Sequence, residues 1–480
     1  MKRLIVLCLL LAMLLTACGS PGTQEVLNPK EPVIVTVWSY YNSKQKEILD
    51  DFVVRFNDDV GAKKGVIVEH ISYGDVTELS KALIAAARED GGAERMPDIF
   101  ILYKGVAREV EKVRPLLDLF EEFRPEELEQ FVDVFVQSGK YTSQDAQMKM
   151  FPIGKSTEFL MINDTSFQQF VEAGVVDYTD LSTYEGLVDA ARRYYEFTDA
   201  LTPQPNDGKA LYGMDSVENY VFVSLAEMGK DLVRFVEGKE VVALDKEAMR
   251  RLWDHYYVPF VKGYFGHRAK FISEDIKSGF VLLSQGSSSS SNFFPKTVIN
   301  ENGQETRIQA KILPIPHFEG ADSKCLVQGG GLFVSKSTPQ REQGAIEFIK
   351  WMTGSEINTE FAAKCSYLPV RKDNFSKESV EQAAERGEIK EITKQAMLAA
   401  IERLSTETPY EPDPTEHYEQ IRRLMSTYFR QRPADDRMLV EERLKSGFAY
   451  QDAIADIISE EKFESWFSQM EQDIEEILKR

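Results

Sequence analysis

From Val33 onward apolar positions recur in two alternating rhythms. Val33, Ile34, Val35 and Val37 form a near-continuous β-branched run. Such a run predicts a strand buried in a parallel sheet, and it ends in the aromatic cluster Trp38-Ser-Tyr-Tyr41. Ile48, Leu49, Phe52, Val53 and Phe56 then recur at helical spacing over 44–58, after a Ser43 that can cap. The alternation repeats as a strand over 65–71, an amphipathic helix over 77–89 and a strand over 96–102. Strand, helix, strand, helix, strand predicts right-handed parallel crossovers and a doubly wound α/β sheet.

The second half predicts another unit of the same class. Lys149-Met-Phe-Pro-Ile-Gly154 leads into the apolar Glu158–Asn163, read as the first passage between units. A helix over 183–197, a strand over 211–214 and helices centred on Ser224 and Trp253 follow. Gly286 and five serines lie between an apolar run and Phe293-Phe294, so they are either a shaped loop or a flexible linker. Segments 312–316 and 329–334 predict strands returning to the first unit, and Ala345, Phe348, Ile349 and Met352 share one helix face. Residues 376–480 are mostly helical in pattern, with a break at Thr408–Pro414.

The N-terminus carries a different pattern. Lys2 and Arg3 precede twelve apolar residues, Leu4–Leu15, and then Thr16-Ala17-Cys18. The run is shorter than the roughly 20 residues that span a bilayer and suits a signal peptide over 1–17. Small residues before a cysteine resemble a lipobox, in which Cys18 is acylated and becomes the mature N-terminus. Residues 18–32, rich in Gly, Pro and polar residues, then form a lipidated tether. The remaining 463 residues exceed the ~250–300 at which one core stops growing, so two domains are expected. Removing Lys2 and Arg3 takes the net charge from −21 to −23, which argues against nucleic acid as a partner.

Catalytic and metal motifs are missing from the sequence. His70, His255, His267, His317 and His417 form no ligand spacing, and no P-loop is present. Gly286–Ser290 fails the nucleophile-elbow pattern, because Ser290 occupies the last glycine position. No metal or cofactor is implied. Cys325 and Cys365 either remain free and buried or form one disulfide.

An ordered set of blocks resembles the family 1 extracellular solute-binding proteins, the maltose-binding-like receptors of ABC importers. The blocks are VTVWSYY, Pro97-Asp-Ile-Phe100, Phe151–Thr157, Leu181–Val188, Pro314-Ile-Pro316, Gly329-Gly-Gly331, Ala345–Lys350 and Ser366–Arg371. Tyr184 stands where the family often has Trp, and Ser287 and Ser288 stand where sugar receptors often have an aromatic. The resemblance implies a type II periplasmic-binding-protein-like fold of two parallel-sheet α/β domains. They are hinged by segments placed near Gly154, Glu305 and Ser337. One domain would hold 33–154 plus 306–337, and the other 155–305 plus 338–480. It also implies a receptor without enzymatic activity, exposed outside the cell, lipid-anchored through Cys18 and docking on permease subunits.

Open α/β sheets bind ligands at the C-terminal ends of their strands. That rule selects Trp38, Tyr40 and Tyr41 after the first strand, Tyr103 and Lys104 after the third, and Ser156, Thr157 and Glu158 after the passage. Ser287 and Ser288, the Gly329, Gly330 and Gly331 run, and Tyr367 complete the candidate set. Aromatic faces and hydrogen-bonding side chains together suit a mono- or oligosaccharide. The serine loop raises a phosphorylated polyol as the second candidate, since hydroxyls and backbone N–H groups at a helix start bind phosphate and the glycerol-phosphate receptors of the same family resemble this chain at the Gly-Gly-Gly and Tyr-Leu-Pro blocks. A secreted glycosidase and a purely structural lipoprotein are the alternatives from other classes.

Overall fold

The computed structural model describes residues 26–142, 145–237, 239–299, 303–412 and 415–479. The expected signal peptide, Cys18 and the first part of the tether lie outside the described residues.

The first lobe opens with β1 (Val33–Ser39), α1 (Ser43–Phe56), β2 (Val66–Ser72), α2 (Val76–Arg88), β3 (Ile99–Leu102) and α3 (Lys104–Glu111). β1 pairs in parallel with both β2 and β3, as the alternation predicts. Its side chains sort by parity: Val35 and Val37 enter the core beneath α1, and Trp38 enters the opposite core beneath α2. Helices therefore cover both faces of the sheet.

After β4 (Phe151–Pro152) the chain crosses to β5 (Glu158–Asn163), the first strand of a second sheet. The second lobe continues with α4 (Tyr184–Asp199), β6 (Tyr212–Met214), α5 (Val217–Glu227) and β7 (Leu283–Ser287). Next come β8 (Ala310–Pro314), β9 (Lys324–Leu326) and β10 (Gly331–Val334). The last elements needed here are α6 (Pro339–Met352), α7 (Ser355–Cys365), α8 (Glu391–Thr406), β11 (Thr408–Tyr410) and α9 (Tyr418–Ser426). The two main sheets have the orders β2-β1-β3-β10-β4 and β8-β5-β7-β6.

Three expectations change. Both sheets are mixed rather than parallel, since β10 runs antiparallel to β3 and β4, and β5 antiparallel to β7 and β8. A strand arriving from the other lobe has no local crossover helix, so the parallel βαβ rule does not govern it. The return passage lies at 327–330 and not near Glu305, because β8 pairs with β5 of the second sheet. The third passage falls beyond Val370 and not near Ser337. Ala345, Phe348, Ile349 and Met352 of α6 pack with Val35 and Val66 in the first-lobe core, while Ile421, Met425 and Phe429 join the second.

The serine run is a shaped loop, a short 3₁₀ turn over Ser288–Phe293 capped by Ser287, whose Oγ accepts from Ser290 N at 3.3 Å. Cys325 and Cys365 are free and buried. Among the described residues no helix is long and apolar enough to cross a membrane.

Candidate functional site

Between the lobes lies a cavity of about 390 Å³. The first lobe contributes Tyr103 and Lys104, at the end of β3 and the start of α3. The crossing segments contribute Ser156, Gln328 and Gly329. The second lobe adds Glu158, Asp215, Asn219 and the serine loop, and the C-terminal region adds Glu411, Tyr418 and Arg422. Tyr367 lines the remaining side. α3 and α9 face each other across the opening so closely that a Cβ on Gly105 would lie 2.6 Å from Glu419 Oε1. Lys112 and Glu416 bridge the same edge at 2.9 Å. A shallower groove of about 820 Å³ shares Val76, Gly105, Tyr418 and Arg422 with the cavity and extends it outward.

The floor is a hydrogen-bonded network. Asn219 Nδ2 donates to Glu158 Oε1 at 2.7 Å and to Gln328 Oε1 at 3.0 Å. Gln285 Nε2 donates to Glu158 Oε2 at 2.8 Å, and Gln285 Oε1 accepts from the Tyr212 hydroxyl at 2.6 Å. Arg422 Nη1 donates to Asn219 Oδ1 at 3.0 Å. Burial pushes the Glu158 carboxyl above its ordinary range, against the two amide donors, which favour its charged form. Each carboxylate oxygen accepts one amide bond and has a further lone pair for a ligand hydroxyl.

Aromatic rings form the walls. Tyr103 is the more open one, 39% exposed, and Tyr367 is buried. Gln45 Nε2 donates to the Tyr367 hydroxyl at 3.1 Å. Gly154 permits the first passage to lie against Tyr367, since a Cβ there would meet its ring at 2.9 Å. Tyr418 packs on Phe222 with centroids 5.4 Å apart, and Arg422 follows one helical turn later.

The structure brings Tyr103, Lys104, Ser156, Glu158, Ser287, Gly329 and Tyr367 together around the cavity. It places others elsewhere. Trp38 packs in the core against Tyr73, centroids 4.8 Å apart, because its parity turns it beneath α2. Tyr41 is buried beside Phe361. Tyr40 stands behind Tyr103. Thr157 is buried against Cys325, Oγ1 to Sγ 3.4 Å, and Ser288 is buried beneath its loop. Gly330 and Gly331 serve close packing: a Cβ would meet Leu102 O at 3.0 Å at the first and Met150 Cγ at 2.4 Å at the second. Gly329 alone of the three has a left-handed φ, +130°.

Sequence reasoning missed Asn219, Gln328, Glu411, Tyr418 and Arg422. An Asn within the apolar run of α5 and a Gln directly before the glycines were usable signals. Nothing local marks Tyr418 or Arg422, whose place depends on the C-terminal helices packing into the second-lobe core.

Two mixed α/β lobes joined by several crossings, with a polar cavity at the junction, define the type II periplasmic solute-binding fold. The sequence model of the bacterial extracellular solute-binding proteins matches residues 52–388, so the chain belongs to that family. Solved structures agree at the level of fold. The cyclic α-maltosyl-1,6-maltose binding protein of Arthrobacter globiformis is 16% identical with a TM-score of 0.65, covering 93% of this chain and 99% of its own. UgpB of Mycobacterium tuberculosis in complex with glycerophosphocholine is 17% identical, TM-score 0.61, covering 86% and 98%. A solute-binding protein of Agrobacterium radiobacter in complex with ribitol is 18% identical, TM-score 0.61, covering 91% and 99%. No curated protein is a significant match to the sequence.

Proposed function

We propose that this chain is the substrate receptor of an ABC importer, that it captures a mono- or oligosaccharide between its lobes, and that it passes the sugar unchanged to the permease. The observation that carries this reading is the pairing of the Glu158–Asn219–Gln328 floor with tyrosine walls in one cavity. Planar hydrogen-bonding groups suit sugar hydroxyls, and ring faces suit sugar C–H faces. The cavity falls within the roughly 300–1,000 Å³ range of small-molecule pockets, and the outer groove offers room for further sugar units. One structural neighbour is named for binding a cyclic maltosyl saccharide and another is in complex with the sugar alcohol ribitol, both polyhydroxylated ligands.

One observation favours a second reading, a phosphorylated polyol: Lys104 lines the cavity beside three serines of the 286–291 loop. The glycerophosphocholine bound by a neighbour has that character. The glycosidase and structural-lipoprotein alternatives find no support in a family of solute-binding proteins. In this proposal acyl chains on Cys18 hold the receptor at the outer membrane surface while 19–32 tether it. Thermal-shift screening against neutral sugars and phosphorylated polyols, followed by titration and analysis of the recovered ligand, tests the reading.

A further inference from the structure

Two lysines on one side of the cavity have a single carboxylate between them as an ion-pair partner, although Glu158, Asp215 and Glu419 also line the cavity. Lys104, 9% exposed, pairs through Nζ with Glu411 Oε2 at 3.2 Å. Lys155 is fully buried. Its Nζ donates to the Gly329 carbonyl at 3.4 Å, a long contact for a charged donor. Among the described residues no carboxylate forms an ion pair with it. Lys155 feels the charges of both Lys104 and Glu411, and burial, the larger effect, pushes its ammonium down to about 8. Two buried ammoniums therefore share one nearby carboxylate. Taking each such ion out of water costs several kcal/mol unless it is matched.

The carboxylate comes from an unusual place. Glu411 follows β11 in the C-terminal region, beyond residue 388, where the family match ends. Its side chain is 21% exposed, more than that of the lysine it pairs with, and it lines the cavity. Lys104 lines the same cavity, and Lys155 stands behind the lining Gly329. The fixed charges are thus the two lysines, on β3–α3 and the first passage, and the exchangeable one is the glutamate.

We propose that Lys104 and Lys155 form a subsite for an acid group of the ligand, a phosphate or a carboxylate, and that Glu411 occupies this subsite until such a ligand displaces it. Lys104 contacts the acid group directly, and Lys155 supplies a second charge through the wall. The inference rests on the receptor reading and narrows its ligand class to acidic sugars or polyol phosphates.

Calorimetric and thermal-shift titration tests it with inorganic phosphate, sn-glycerol 3-phosphate and D-glucuronate against the neutral glycerol and D-glucose. The native protein should bind at least one acidic probe about tenfold or more tighter than its neutral match. Glu411→Gln should bind that probe tighter still, because the internal competitor is gone, and Lys104→Gln should lose the preference. The phosphate and glucuronate arms tell the two acid groups apart. A Glu411→Gln variant that binds acidic probes no better than native protein overturns the subsite, as does a preference for the neutral partner. Binding of neutral sugars with no response to any acid would overturn the subsite and leave the receptor reading standing. A phosphate response with no binding of sugars or polyols would do the reverse. If Glu411→Gln folds poorly, its refolding yield is the readout. Recovery by inorganic phosphate, absent in the Lys104→Gln/Glu411→Gln double variant, supports the subsite, and phosphate-independent misfolding contradicts it.

Discussion

Tyr103 lies nearly flat on Tyr40, with ring centroids 5.5 Å apart and planes 19° apart. The outer ring faces the cavity and the inner one fixes it, so the pair divides into a contact residue and a support. Tyr103→Ala should weaken ligand binding about tenfold, roughly 1.4 kcal/mol, with little loss of stability. Tyr40→Ala should cost stability first, because it removes packing behind the wall. Titration beside chemical denaturation separates the two. Equal binding in native protein and Tyr103→Ala would remove that ring from the site.

Asn219 couples the floor, donating to Glu158 and Gln328 and accepting from Arg422. Asn219→Leu keeps the branched shape, with a somewhat larger side chain that has no polar atoms, so it leaves Glu158 with one amide donor. Binding should fall by about a hundredfold, since unpaired buried polar groups cost roughly 1–3 kcal/mol each. A variant that binds as well as native protein would show that the network is structural only.

Glu227 gives a pH prediction away from the cavity. Its side chain is buried, and Oε2 has no partner among the described residues. Burial raises its carboxyl from 4.5 to about 8, against backbone N–H donors at Lys324 and Phe318. The folded chain therefore holds a proton that the unfolded chain releases between those values. The stability from this group is fully present below pH 4.5 and is lost as pH rises through about 8. Glu227→Gln should flatten that slope and raise stability at pH 8 by roughly 1–3 kcal/mol. Denaturation midpoints at pH 5 and pH 8 check it, and an unchanged slope would refute it.

The two thiols give a labelling pattern. Burial pushes Cys365 up to about 12 and also raises Cys325, so neither forms thiolate readily at neutral pH. Native protein should resist alkylation for hours, and unfolding without reductant should expose both. Protection that persists in denaturant would mean a disulfide.

For the anchor, Cys18→Ser should move the protein from the membrane fraction to the soluble one without altering ligand affinity. Retention on the membrane would contradict acylation at that residue.

The first lobe was legible from β1 to β3 because each buried face repeats at the period of its own element. β8 was recognisable as a strand, yet its lobe was misjudged. Periodicity fixes which face is buried and does not fix which strand pairs, and β5 lies some 150 positions earlier in the chain. The strand-end rule located Tyr103 and Lys104, where the backbone leaves the first sheet at the cavity, whereas Glu158 reaches the cavity at the start of β5, just after the first passage. It failed at Trp38 and Tyr41, whose side chains turn into the cores on either face of the first sheet. Tyr418 and Arg422 were illegible because only the packing of distant helices brings them to the cleft.

In the proposed role the cavity holds a carbohydrate and leaves it intact. The most direct test of that role is calorimetric titration of native protein and Arg422→Ala with the best sugar from the thermal-shift screen, with the sugar recovered and analysed. One site per chain, at least about tenfold weaker binding in the variant and chemically unchanged sugar are expected. Equal affinity in both proteins, or recovery of a cleaved sugar, would contradict it.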